Sequence, residues 1–463
     1  MPGSRLGTVE SSPTSVGGSR PRVMHVASVD LSVRFLLLNQ MRYLEAHGYE
    51  TAAVCGPGPW IGEVESQGVK VFTAPLTRRP TPLNDLRALV SLVALFRRER
   101  PDIVHTHTPK AGLLGQYAGK LAGVPHLVHT IHGLYFPGHM KSWQRPLFVL
   151  LERLTMQFAH AVLSQNREDV GTAVRERICN PSRIRYIGNG IDLSVFDPAA
   201  IPATERERVR AELGRRPGQP VVGMVGRLVE EKGYLEFFEA VRLLRDRFPE
   251  ACFLAVGPQE TEKRDAIGPA TARRYGVGDI VRFLGMRRDM AALYSQMDLL
   301  VLPSHREGFP RSPMEAAAMG VPTVATDIRG CREVVVPEET GLLVPLRDPP
   351  ALAAAIGRLL ANPALRHSMG AAARARALAE FDERLVFARV EQAYQALGTR
   401  AGARPQPRGD TVTRGLARLD GPVMPRRSWA RPLAARNATD PDRVYAPWLG
   451  EAADQSSTGS THA

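Results

Sequence analysis

Ser304 to Gly320, SHREGFPRSPMEAAAMG, joins a strand to a helix and carries two carboxylates, Glu307 and Glu315, eight positions apart. Upstream, Asp298 to Pro303 (DLLVLP) has the length and apolar composition of a buried parallel strand. Downstream, Pro313 suits a first helical position, Gly320 suits a helix end, and Pro322 to Thr326 begins another strand. Open α/β sheets bind ligands outside the carboxyl ends of their strands, so Glu307 falls on a ligand-side loop. Glu315 falls in the first turn of the next helix, whose unpaired backbone N–H groups form an anion site suited to a diphosphate. Ser312 and Glu315 also spell a capping box, Ser312 as N-cap and Glu315 reaching back, and that alone accounts for a Glu there. Glu307, followed by Gly308, has no such local duty.

Working outward, the same rhythm fills most of the chain. From Arg22 it runs VMHVAS, FLLLNQMRYLEAHG, ETAAVCG, VKVFTAP, a helix near 83–98, DIVHTHT, a helix near 110–122 and HLVHTIHG. After a Pro-, Ala- and charge-rich break it restarts with VVGMVGR, ACFLAVG, IVRFLG, DLLVLPS and PTVATD. Strand and helix in alternation predict parallel sheets covered on both faces. The expected organisation is a Rossmann-like α/β domain over 21–198, a linker over 199–219 and a second Rossmann-like domain over 220–380. A last helix over 381–397 follows. Residues 1–20 and 398–463 read as disordered tails, rich in Gly, Ser and Pro or in Arg, Pro and Ala. Two doubly wound units with strand ends facing each other predict a cleft with the ligand in it.

With 463 residues and 44% hydrophobic content, the chain can bury more than one core. Of the formal +13, the tail from 399 accounts for ten Arg against six acids, and residues 1–22 for three Arg against Glu10. The remaining +7 lies on the body and favours anionic partners such as nucleotide sugars, lipid diphosphates or an acidic membrane face. No zinc-finger spacing or RNA-binding aromatic motif accompanies it, so nucleic acid is not an expected partner. Cys55, Cys179, Cys252 and Cys331 lie far apart without CxxC spacing and read as buried thiols of a reducing compartment. No charged n-region precedes an apolar run, and no stretch reaches about eighteen uninterrupted apolar residues. The expected location is cytoplasmic.

Gly226 to Gly233, GRLVEEKG, turns from the strand VVGMV into a helix and places Arg227 and Lys232 on that turn. Cations there can neutralise a diphosphate leaving group, although Glu230 and Glu231 stand beside them. Glu307-x7-Glu315 together with GRLVEEKG resembles the paired signature of the retaining glycosyltransferases called group 1 or family 4, with further matches over roughly 22–397. The resemblance implies the two-domain GT-B architecture, with the last helix packing back on the first domain. It assigns Arg227 and Lys232 to the phosphates, Glu307 to the donor sugar and Glu315 to the ribose hydroxyls. Gly226, Gly308, Phe309, Pro310 and Arg311 complete the donor loops, Phe309 and Arg311 through backbone N–H groups. It places His132, followed by Gly133, beside the reacting sugar as a catalytic residue. His107 and Lys110, in VHTHTPKAGLLG, are acceptor-side candidates. Many members carry paired glycines after the first strand, where this chain has SVDLSVRFLL; Arg34 supplies charge there in their place, or the loop serves the acceptor.

No metal or cofactor is expected: His105, His107 and His132 have no accompanying carboxylate at a useful spacing, and no Asp-x-Asp pair sits in a suitable loop. In HMKSWQRPLFVLLERLTMQFAH (139–160), the residues Leu147, Leu150, Leu151, Leu154 and Phe158 form one helical stripe beside Lys141, Trp143 and Arg145. Packing against the sheet and lying on a membrane both explain that stripe. The resulting expectation is a retaining hexosyl- or N-acetylhexosaminyltransferase. Its donor is a nucleotide sugar, UDP favoured, and its acceptor a glycan hydroxyl on a lipid-linked carrier. A sugar-nucleotide epimerase of the same fold and a non-catalytic sugar-nucleotide binder are the rivals.

Overall fold

The computed structural model of the chain describes residues 20–78, 81–134, 143–259 and 265–398. The tail readings over 1–19 and 399–463 lie outside them. Seven strands form the first sheet: β1 (Arg22–Val26), β2 (Glu50–Cys55), β3 (Lys70–Thr73), β4 (Ile103–His107), β5 (His126–Ile131), β6 (Ala161–Ser164) and β7 (Ile184–Tyr186). Their spatial order is β3-β2-β1-β4-β5-β6-β7, with every pairing parallel. The second sheet holds β8 (Val221–Val225), β9 (Cys252–Val256), β10 (Val281–Gly285), β11 (Leu299–Leu302), β12 (Thr323–Thr326) and β13 (Gly341–Val344). Its order is β10-β9-β8-β11-β12-β13, again all parallel. The Val-, Ile- and Leu-rich strand runs follow from this, since parallel strands are covered by helices on both faces. Each sheet reverses its winding once, between β1 and β4 and between β8 and β11, and such reversals open a crevice at the carboxyl ends.

The closing helix, Glu383–Ala396, inserts Val386, Phe387, Val390 and Tyr394 among Val23, Ile103, Val128 and Leu163 of the first sheet. Although last in sequence, it belongs to the core of the first domain. The stretch 199–219 differs from a bare linker. It contains the helix Ala203–Glu212, whose Val209, with Leu213 just beyond, enters the second domain's core beside Leu293 and Leu300. Its charges are satisfied outside that core, Arg208 and Glu212 pairing with Asp289 and Arg287. Cys55 and Cys331 are buried, Cys179 and Cys252 half-buried, and all four are free thiols.

Helix Arg145–Met156 settles which face its residues use. Val149, Glu152, Thr155 and Met156 point inward, whereas Leu147, Leu150 and Leu151 are exposed, 48%, 49% and 39%. Leu154 and Phe158, further along the stripe, are half-buried, Phe158 against the first domain's core, so only the first three leucines face away from the packing side. No helix among the described residues is long and apolar enough to cross a membrane.

Candidate active site

The two loops singled out in the sequence leave neighbouring strands. Gly226–Lys232 follows β8 and Ser304–Pro310 follows β11, which pair directly at the reversal of the second sheet. Gly233 ends the first loop at φ +84°, where a Cβ would stand 2.0 Å from the Pro303 carbonyl oxygen, so the two loops run in backbone contact. Across that contact Lys232 Nζ donates to Glu307 Oε1 at 2.6 Å, and Ser304 Oγ donates to the same oxygen at 2.7 Å. Both partners use Oε1, which leaves Oε2 to accept from a ligand hydroxyl. Arg227 lies on the same turn, half-buried.

The helix after this loop is Arg311–Ala318, with Pro310 at its N-cap position and no side-chain cap. The capping-box expectation is thus corrected: Ser312 is already helical and Glu315 does not reach back. Glu315 instead accepts from Tyr294 Oη at 3.0 Å, with Arg311 Nε 3.7 Å from its other oxygen. Burial raises the Glu315 pKa, against the pull of Arg311 and Tyr294. With Pro310 and Pro313 lacking N–H groups, the first turn offers the amides of Arg311 and Ser312 to an anion. The Arg311 side chain turns away, donating to the Phe35 carbonyl of the first domain at 3.1 Å.

His132–Gly133 and Gly308 face each other across the two domains. A Cβ on Gly308 would lie 2.0 Å from the His132 carbonyl oxygen, and Gly133 holds φ +135° with its own Cβ position 2.8 Å from Gly308 Cα. Only glycine fits on both sides. The His132 ring is engaged at both nitrogens: Nε2 meets His107 Nδ1 at 3.0 Å and Nδ1 meets Gln165 Oε1 at 3.1 Å. In this arrangement neither nitrogen is left to exchange a proton with a sugar.

The other first-domain candidates are committed elsewhere. His107 is buried within this histidine group. Lys110 forms an ion pair with Asp85 and donates to Thr77 at 2.7 Å and Thr81 at 3.1 Å, with little exposure. Arg34 sits in a π-helical turn, Val33–Leu37, and binds Glu63 at 2.7 Å. The structure brings Lys232 and Glu307 into contact, with Gly226 and Arg227 on the same loop as Lys232, Gly308 next to Glu307 and Glu315 one turn into the helix that follows, and leaves Arg34 and Lys110 paired to carboxylates.

Residues the sequence reading missed include His25, Gln165, Asn166 and Asn189. Asn166 caps helix Arg167–Arg175, its Oδ1 accepting from Asp169 N, and its Nδ2 donates to the Gly308 carbonyl at 2.9 Å. Asn189 donates to the next carbonyl, Phe309, at 2.9 Å. Beside them Arg329 of helix Arg329–Val334 pairs with buried Asp169, Arg332 with Glu168 at 2.8 Å, and Glu333 accepts from the Arg167 backbone N–H at 2.6 Å. A strand-end Asn before a helix was the only local signal. Thr108, at φ +66° and bonded through Oγ1 to Ser28 Oγ at 2.9 Å, marks the reversal of the first sheet with strained backbone. His25, His105 and His107 offer ring nitrogens within 4.8 Å of one another, but both nitrogens of His105 already bond, to Tyr394 and Thr130.

Comparison with known proteins matches residues 205–376 to the family described as glycosyl transferases group 1, and residues 34–190 to the glycosyl transferase 4-like domain. The UDP-Gal:alpha-D-GlcNAc-diphosphoundecaprenol alpha-1,3-galactosyltransferase of Escherichia coli is 30% identical over 335 residues, 71% of this chain and 85% of that protein. The capsular polysaccharide biosynthesis glycosyltransferase CapM of Staphylococcus aureus is 25% identical over 374 residues, 81% of this chain and 96% of the relative. Among solved structures, Anabaena HepE in complex with UDP and glucose superposes with a TM-score of 0.70 at 20% identity, covering 81% of this chain and all of that one, a likeness of fold. With its paired loops meeting at the second sheet's reversal, the chain belongs to the group 1 glycosyltransferases and is a glycosyltransferase of GT-B fold.

Proposed function

We propose that the enzyme transfers a hexosyl or N-acetylhexosaminyl group from a UDP-sugar to a hydroxyl of a lipid-linked glycan, with retention at the anomeric carbon. The observation that carries this reading is the junction of Lys232, Glu307 and the Arg311 helix start at two adjacent strand ends. One side of that junction suits a departing diphosphate, through Arg227, Lys232 and the amides of Arg311 and Ser312. The other suits a polyol: Glu307 Oε2 accepts from sugar hydroxyls and Glu315 from the ribose. The acceptor attacks the face the diphosphate leaves. The departing phosphate oxygen takes the acceptor's proton.

The acceptor class is supported by the relative whose name specifies a diphosphoundecaprenol-linked sugar, and by the surface. Helices Pro82–Glu99, Pro109–Ala122 and Arg145–Met156 pack side by side. They expose Leu83, Leu86 and Val90, then Leu121, then Leu147, Leu150 and Leu151, with Trp143 beside them. Such a face suits peripheral contact with an anionic membrane.

The test is product analysis with UDP-sugars, alone and with a lipid-diphosphate-linked sugar. A new α-glycoside with free UDP, formed only with acceptor, supports the reading. A changed sugar still attached to UDP, formed without acceptor, identifies an epimerase. Binding without turnover in either assay identifies a carrier.

A further inference from the structure

Five side chains, one from each of five neighbouring strands or the turn leaving it, lie in a single hydrogen-bonded file along the carboxyl edge of the first sheet. In the spatial order β1-β4-β5-β6-β7 they are His25, His107, His132, Gln165 and Asn189. His25 Nδ1 meets His107 Nε2 at 3.1 Å, His107 Nδ1 meets His132 Nε2 at 3.0 Å, and His132 Nδ1 meets Gln165 Oε1 at 3.1 Å. Gln165 Nε2 then donates to Asn189 Oδ1 at 3.1 Å, and Asn189 Nδ2 to the Phe309 carbonyl of the second domain at 2.9 Å.

The far end sets the direction of every bond. A carbonyl only accepts, so Asn189 must present its NH2 to Phe309 and its oxygen backwards, where Gly190 N also donates to it at 3.0 Å. Gln165 must then present its NH2 to Asn189 and its oxygen to His132. That oxygen requires a proton on His132 Nδ1, which leaves His132 Nε2 bare. The same step repeats at His107 and at His25. The file ends at His25 Nε2, a bare lone pair, and that atom is buried without a partner among the described residues. Burial also keeps the rings neutral, lowering the pKa of His25 to about 3 and of His132 to about 4, and that of His107 well below the usual histidine range.

We propose that these five residues are one tautomer-locked relay that positions the Phe309 carbonyl, and that His132 is a positioning residue within it. Phe309 immediately precedes Pro310, the N-cap position of the helix whose first-turn amides face the ligand in the reading above. A displaced Phe309 carbonyl tilts that helix start away from the diphosphate and shifts Glu307 with it. The orphaned His25 lone pair follows from this: the relay has a donor surplus at the loop and a bare acceptor at its origin. The relay rests on the proposed reaction only for its purpose, and its bonds are measurable with no substrate.

Two measurements on the ligand-free full chain test it. In the wild type with 15N-labelled histidine, His25, His107 and His132 each show the neutral Nδ1–H form, the rarer tautomer in water. Any of the three in the Nε2–H or imidazolium form between pH 6.5 and 8 overturns the relay. In hydrogen exchange on peptides spanning 304–316, His132→Phe speeds exchange at Gly308 to Ser312 by roughly tenfold. His132→Gln, whose amide can accept from His107 and donate to Gln165, brings it back to within about threefold of wild type. Gln165→Glu is the isosteric control: it still accepts from His132, but forces Asn189 to turn its oxygen toward Phe309. It is expected to speed loop exchange while His107 and His132 keep their tautomers. Unchanged loop exchange in both His132→Phe and Gln165→Glu overturns the positioning role, and equal exchange in His132→Gln and His132→Phe overturns the relay through that ring. The outcome is independent of whether any UDP-sugar is turned over.

Discussion

Lys232 Nζ stands 2.6 Å from Glu307 Oε1, an ion pair that spans 75 residues of sequence and ties together the loops after β8 and β11. The side chains are 19% and 10% exposed, so water screens the pair only in part. Lys232 and Ser304 both occupy Oε1 and leave Oε2 open to accept a further hydrogen bond. Glu307→Gln keeps the shape but loses the charge. The expected result is a fall in kcat/KM of about ten- to a thousandfold, roughly 1.4 to 4 kcal/mol of transition-state binding, with little change in Tm. Near-normal turnover would remove Glu307 from the reaction.

Lys232→Ala and Arg227→Ala are expected to weaken binding of UDP far more than of uridine, because only UDP carries the charges they face. Calorimetric titration of both ligands into each variant checks this. Equal losses for the two ligands contradict the phosphate role.

The first and second domains are joined by the buried pair Arg329–Asp169, flanked by Arg332–Glu168 and Arg167–Glu333. Burial lifts the Asp169 pKa to about 6 even with Arg329 beside it. Arg329→Met strands that carboxylate and is expected to destabilise the chain by about 3 to 5 kcal/mol in urea unfolding. Adding Asp169→Asn to it should recover a large part of the loss. If the double variant is as unstable as the sum of the singles, the two residues are not coupled.

Five histidines, His25, His105, His107, His129 and His132, are held neutral by burial. His129, bonded to Thr106 Oγ1 at 2.9 Å, is lowered to about 3. As pH falls through 6.5 the unfolded chain protonates this ring and the folded chain does not. The stability it contributes is therefore complete above 6.5 and is lost as pH falls toward 3. His129→Gln should make the slope of unfolding free energy against pH shallower by about 1.4 kcal/mol per unit between pH 5.5 and 4. Parallel slopes for the variant and wild type would mean that His129 is protonated in the native state.

The exposed Leu147, Leu150 and Leu151 give the membrane reading a direct check. Replacing all three with Ser should leave Tm within a few degrees, since they do not line the core, and should reduce sedimentation with vesicles containing anionic lipid by several-fold. Loss of folding would show that these side chains are covered in the native protein.

Much of this architecture is local in origin and was readable along the chain. The runs VMHVA, VVGMV and DLLVLP form central parallel strands because both faces of such strands are covered, and the loops after them had to carry the ligand groups. Arg227, Lys232, Glu307 and Glu315 stand as candidates from their place on those loops together with the family resemblance. The helix starts two residues earlier than the Ser312–Glu315 capping pattern predicts, because Pro310 takes the cap position. The leucine stripe of Arg145–Met156 pointed in neither direction until Val149, Glu152 and Met156 were seen to fill the inner face. The relay was invisible for a different reason. His25 and Asn189 stand at opposite ends of the first domain's sequence. They share one file because β1 is laid beside β4 and β5, β6 and β7 follow in order. Which nitrogen of each ring holds the proton depends on a carbonyl in the other domain, Phe309. Hydrogen-bond direction is a property of the assembled network, and no residue in it carries that information alone.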